Sequence, residues 1–264
     1  MRPFRFLLIC LLVSVTSLVN AHEFWLSPST YILPSGEVLE VDLSFGDDFE
    51  RTDVAYFPDQ SKRFEIHVGN ANLSLAQDRA RDPAARINGL PDGLAIVIYE
   101  RNAPREIFVY DTPEKFEAFL DTHSIKQDVD WQAATQPVAE KYNRFSKTLV
   151  KVGAGFGQDR NFGMETEIIA VTNPYLPSGR QTMSFDVYYQ GAAQANRQVE
   201  LYAKALTGFE VTRTLHRTDE NGRVKIDVAP GQEYLLNSIT YRPAQGGVQF
   251  ESLWASISFA IPAE

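Results

Sequence analysis

Short apolar runs with a two-residue period recur along almost the whole chain, and this rhythm most narrows the folds open to it. They include Val38 to Phe45, Arg63 to Val68, Leu94 to Tyr99, Glu106 to Tyr110 and Thr148 to Val152. Further on come Glu165 to Val171, Thr182 to Tyr189, Gln198 to Ala203, Arg223 to Val228, Tyr234 to Tyr241 and Leu253 to Ile261. Alternation places successive side chains on opposite faces, and the β-branched and aromatic content suits a pleated surface. Turn residues punctuate the runs at Pro34-Ser35-Gly36, Asn88-Gly89, Pro91-Asp92-Gly93 and Asn221-Gly222. The pattern predicts an all-β chain of two antiparallel, sandwich-like domains.

One helix interrupts this rhythm. Thr112 is placed to cap it, Pro113 suits its first position and Glu114 its first turn. Phe116, Phe119 and Leu120 then share one face, so a short helix is predicted over Pro113 to Thr122, with His123 at its end. Residues 153 to 163 are glycine-rich and lack periodicity. A strand-like segment follows them, where a phosphate-cradling loop would need a helix. They are expected to link an N-terminal domain, residues 22–152, to a C-terminal domain, residues 164–264. Asn221-Gly222, between Val211 to Thr218 and Arg223 to Val228, predicts a tight hairpin.

Residues 1–21 read as a cleavable export signal. Arg2 and Arg5 precede an apolar stretch from Phe6 to Val19, and Val19-Asn20-Ala21 supplies the small-residue cleavage pattern. A periplasmic or secreted protein is expected. Removing the signal takes the formal charge from −9 to −11, with 23 basic against 34 acidic residues. Such a surface disfavours nucleic acid and anionic lipid. The single cysteine, Cys10, lies in the signal, which removes thiolate sites from the mature chain. No later segment reaches the ~18 apolar residues of a membrane span, so no stable membrane insertion is expected after cleavage.

Cleavage after Ala21 would make His22 the first residue, with a free amine and an imidazole able to chelate one ion. Nitrogen donors of this kind suit a divalent transition ion such as copper or nickel. His67, His123 and His216 are the remaining histidines and the candidates for a third nitrogen, each with a structural alternative within a strand or at the helix end. Phe24 and Trp25 read as anchors of the first strand, and Glu23 as a solvated carboxylate or an outer ligand. Tyr142, Arg144 and Lys147 lie just before a strand and read as long stems covering a junction, or as an anion site. There is neither a Gly-x-Ser-x-Gly elbow nor a His-Glu-x-x-His helix, so no catalytic residue is assigned.

Several motifs in order resemble domain-of-unknown-function family 4198. They are His22-Glu-Phe-Trp-Leu-Ser-Pro28, Phe116-Glu-Ala-Phe-Leu120, Glu140 to Val150, Glu167, and Asn173-Pro-Tyr-Leu-Pro-Ser-Gly179. Thr218-Asp-Glu-Asn-Gly-Arg223, Gly231-Gln-Glu-Tyr-Leu-Leu236 and Ser252 to Phe259 follow. The resemblance implies two β-rich domains, the second like a prealbumin or carboxypeptidase-regulatory sandwich. It also implies a place among periplasmic components of nickel and cobalt uptake. The expected function is therefore capture of a transition metal ion and its delivery to a membrane transporter. The alternatives are a histidine-brace copper oxidase or monooxygenase, and a non-catalytic envelope interaction or adhesion module.

Overall fold

The computed structural model describes residues 23–102, 107–126, 130–134, 137–176, 181–244 and 246–263. Residues 1–21, expected to be an export signal, and His22 lie outside the described residues. The fold is all-β with one α-helix among the described residues. Among the described residues no helix is long and apolar enough to cross a membrane.

Three sheets stack in layers. The front sheet holds β1 (Glu23–Pro28), β3 (Leu39–Gly46), β4 (Thr52–Val54) and β7 (Ala85–Ile87), with β3 bonded to the other three. The central sheet runs in the order β15 (Val211–Arg217), β14 (Gln198–Ala205), β17 (Gln232–Pro243), β18 (Phe250–Ile261), β10 (Val138–Val152), β8 (Gly93–Arg101), β5 (Ser61–Val68) and β6 (Ala71–Ser74). The short strands β2 (Ile32–Leu33) and β9 (Ile107–Tyr110) also pair with β10. The rear sheet holds β11 (Thr166–Ala170), β12 (Gln181–Tyr189), β13 (Ala192–Ala193) and β16 (Arg223–Val228).

Most pairs are antiparallel. The exceptions are β10 with β18, in register from Glu140↔Phe250 to Thr148↔Ser258, and β10 with β2. The central sheet thus takes strands from both sides of the glycine-rich stretch.

The layering explains the sequence of β8. Its run Leu94 to Tyr99 is apolar at every position because both faces are covered. Ala95, Val97 and Tyr99 join the front core with Leu26, Val41 and Leu43. Leu94, Ile96 and Ile98 join the rear core with Met183, Phe185 and Ile226. β18 is buried along its whole length in the same way. Its Leu253, Ala255, Ile257 and Phe259 point to the rear. On the other face Ser256 and Ser258 donate their hydroxyls to the carbonyls of Phe24 and Leu26, at 2.8 and 2.7 Å. These two bonds lay β1 across β18 and fix where residue 23 emerges.

The helix α1 occupies Pro113–Thr122, and the Thr112 side chain accepts from the Lys115 amide. Phe116, Phe119 and Leu120 face inward against Tyr241, Phe250 and Trp254. His123 closes the helix.

Two expectations are corrected. β10 starts at Val138, so Tyr142, Arg144 and Lys147 lie inside a strand. Its first half is polar because specific partners, and not an apolar core alone, receive those side chains. The predicted hairpin is a crossing between layers. β15 pairs with β14 in the central sheet, whereas β16 pairs with β12 in the rear sheet. Asp219 ties the turn by accepting from the amides of Asn221 and Arg223, a bond pattern that leaves the two strands free to diverge.

Candidate functional site

The start of β1, the end of α1, the turn after β3 and strands β14 and β15 meet around a cavity of about 180 Å³. Glu23, Asp47, Asp48, Thr122, His123, Tyr202 and Arg213 line it. The turn places its two aspartates by a left-handed bend, with φ of 50° at Asp48 and 61° at Phe49. Such angles persist only where packing holds them. Phe49 is buried edge-on against Trp25 with centroids 5.3 Å apart. Gly46 admits the bend because a Cβ there would collide with the Glu50 carbonyl oxygen.

Glu23 is only 6% exposed, which corrects the expectation of a solvated carboxylate. Alternation along β1 puts it on the same side as Trp25, and that side faces β14 of the central sheet. Tyr202 donates its hydroxyl to Glu23 Oε1 at 2.7 Å, and the Tyr202 hydroxyl oxygen also lies 3.0 Å from Glu200 Oε2. Glu23 Oε2 is buried with no hydrogen-bond partner. Burial pushes the Glu23 carboxyl above its ordinary pKa, against the Tyr202 hydrogen bond, and the charges of Glu200 and Asp47 add to the rise.

Behind the cavity, Glu200 is 2% exposed. It receives His123 Nδ1 at 2.8 Å and Arg213 Nη2 at 3.0 Å on Oε1. Burial would raise this carboxyl, but the His123 hydrogen bond and the charges of His123 and Arg213 outweigh it and hold the group below the usual range. His123 is 7% exposed and wedged between the rings of Phe119 and Trp254, at 4.8 and 5.2 Å. With Nδ1 engaged by a carboxylate, Nε2 is the nitrogen left for a ligand. Carboxylates orient metal-binding imidazoles in this manner.

The other histidines lie elsewhere. His67 on β5 contacts Glu65 at 2.9 Å and packs on Phe162 at 4.6 Å. His216 on β15 contacts Thr214 Oγ1 at 2.9 Å, and burial lowers its pKa. Both sit on the rear side of the central sheet. Six strand spacings separate β5 from β15, about 29 Å at ~4.8 Å each. Of the three, His123 alone lines the same cavity as Glu23. Among the described residues no three His, Cys, Asp or Glu side chains form a group that could hold a metal ion.

Glu200, Tyr202 and Arg213 were not singled out from the sequence. The signal lay in Gln198-Val-Glu-Leu-Tyr202, where alternation gives an otherwise apolar strand one polar face.

A family model, Domain of unknown function (DUF4198), matches residues 19–241. The chain belongs to this family. The match spans the cavity from β1 through β15 and beyond. No curated protein matches this DUF4198 chain. Among solved structures, a two-domain fibronectin type-III segment of chicken tenascin aligns at 13% identity, covering 88% of this chain and 95% of that one, with a TM-score of 0.20. The D0-D1 domain of intimin aligns at 11% identity, covering 90% and 97%, with a TM-score of 0.21. Titin domains A168–A170 align at 11%, covering 88% and 62%, with a TM-score of 0.19. At such scores the alignments say nothing of function, and the architecture stands on the strand pairing described above.

Proposed function

We propose that this protein binds a divalent transition metal ion, nickel, cobalt or copper, in the periplasm and passes it to a membrane uptake partner. The observation that carries this reading is Glu23 Oε2, a buried carboxylate oxygen without a donor at the wall of an acidic cavity. Buried polar atoms are almost always satisfied, and a cation in the cavity would satisfy this one. His123 supports it, since Glu200 holds Nδ1 and leaves Nε2 for coordination. A chain cleaved after Ala21 would add the amine and imidazole of His22 that the sequence offers as donors. His22, Glu23 and His123 would hold the ion, with Asp47 and Asp48 adding negative charge. A bound ion of this type takes nitrogen and carboxylate donors together.

Calorimetric titration with Cu(II), Ni(II) and Co(II) tests the reading on protein starting at His22, on His123→Ala, and on protein with one extra N-terminal methionine. Binding to the first form is expected, with affinity lower by about tenfold or more in each of the others. Affinity should fall as pH drops below neutrality, because nitrogen donors must lose their protons before they bind the ion. Equal affinity in all three forms would remove the site. No binding at all would leave the interaction-module reading, and oxidant-dependent turnover by the loaded protein would move the assignment to a histidine-brace oxidase.

A further inference from the structure

A second cluster lies on the rear side of the central sheet, apart from the cavity. Lys147 stands in β10 between Phe145 and Leu149, both members of the rear apolar core. Its side chain, with those of Asp159 and Glu167, is 0% exposed. Lys147 Nζ lies 2.7 Å from Glu167 Oε1, 3.0 and 3.1 Å from the two oxygens of Asp159, and 3.1 Å from the Arg160 carbonyl. The Phe162 ring covers it at 5.1 Å.

An ammonium and two carboxylates sealed from water are an expensive arrangement if all three stay ionised. The geometry offers a way to remove two of the three charges. Nζ is nearly equidistant from both Asp159 oxygens and bridges the carboxylate edge, within a short step of the carboxyl carbon. Both of those oxygens accept backbone amides, from Arg160 at 2.8 Å and from Ala170 at 2.9 Å. These donors sit where charge would grow during attack on the carbon. Glu167 presents a single oxygen to Nζ and is itself anchored by the amides of Phe162 and Met164. It is placed as a proton carrier.

We propose that Lys147 and Asp159 become joined by an amide bond within the folded protein, with Glu167 moving the protons. Glu167 takes one proton from the ammonium, and the freed amine attacks Asp159 Cγ to form the C–N bond. The second nitrogen proton and the one held by Glu167 pass to one carboxyl oxygen, the C–O bond breaks, and water leaves. The ammonium has lost two hydrogens and the carboxylate one oxygen, one positive and one negative charge vanish, and Glu167 returns to its starting state. Fixed proximity in a water-free site supplies the drive that free amine and carboxylate lack in solution. The link fastens the glycine-rich stretch to β10.

Intact-mass measurement on the denatured full chain tests this. The protein should weigh less than its sequence by one water, and trypsin should fail to separate Phe145–Lys151 from Val152–Arg160, releasing them as one branched peptide. Lys147→Arg and Glu167→Gln should each show the full mass of their own sequences. A wild-type chain of full sequence mass would overturn the proposal. So would a loss of water without the branched peptide, or a branch that joins Lys147 to the peptide holding Glu167.

Discussion

Replacing Glu200 by glutamine keeps the shape of the side chain and removes its charge. In the wild type this buried carboxylate receives His123 at 2.8 Å and Arg213 at 3.0 Å, and the Tyr202 hydroxyl packs on it at 3.0 Å. A hydrogen bond to a charged group contributes about 1.5–3 kcal/mol. Arg213 is 31% exposed on its side chain, so water can replace much of its share. His123 and Tyr202 are buried and have no such recourse. The glutamine can still accept through one oxygen, but its amide turns donors toward donors. Losing the equivalent of one or two charge-assisted bonds gives about 3 kcal/mol. In a protein of this size that lowers Tm by about 6–12 °C. Urea unfolding and calorimetry on Glu200→Gln, His123→Ala and the double variant would measure it. The double variant should be less damaged than the sum by about 1 kcal/mol or more, because both changes break the same contact. The effect should depend on pH in one direction. An acid whose folded pKa is depressed stabilises above its unfolded pKa, about 4.3, and loses that contribution as pH falls through the folded value. Wild type should therefore exceed the variant fully at pH 7 and pH 5, and the gap should close below about pH 4. A difference under about 1 kcal/mol at pH 7, or strict additivity, would refute the network.

Two further outcomes are expected. Phe185→Ala, at a fully buried ring stacked on Phe259 at 5.6 Å, should lose about 3–5 kcal/mol by urea unfolding, and a loss under about 1 kcal/mol would mean the layers close over the gap. Gly222→Ala should destabilise by about 1–3 kcal/mol, because φ is 76° and a Cβ would sit 2.8 Å from the Gln194 amide nitrogen; an unchanged Tm would contradict that backbone.

How much could be read without coordinates depended on how local the cause was. The helix was readable to the residue because Thr112, Pro113 and Glu114 act within one turn of each other, and His123 follows directly. β8 and β16 were readable because burial on two faces or one leaves its own pattern of apolar residues. The first half of β10 was not, since Glu140, Arg144 and Lys147 are accommodated by residues distant in the chain. Glu140, for instance, receives the hydroxyls of Tyr241 and Ser252. The turn at Asp219 to Gly222 has the same local chemistry whether its strands pair or part, so the sequence around it could not distinguish a hairpin from a crossing. Glu23 was misplaced for a related reason: alternation predicts which side a residue takes, and only the layer above decides whether that side meets water.

The parallel pairing at the middle of the molecule also sets a timetable for its folding. Ser146 and Ser256 meet across 110 positions of sequence. At roughly 5–20 residues per second, β10 waits about 5–20 s after its own synthesis for the strand that lies beside it. Through that interval the rear core lacks Leu253, Ala255, Ile257 and Phe259, whereas the front core draws only on residues 26–152, and one edge of β10 stays open to other chains. Contacts this distant also fold slowly once both partners exist. The rear core and the open edge of β10 are therefore completed only once residues 250–261 are made.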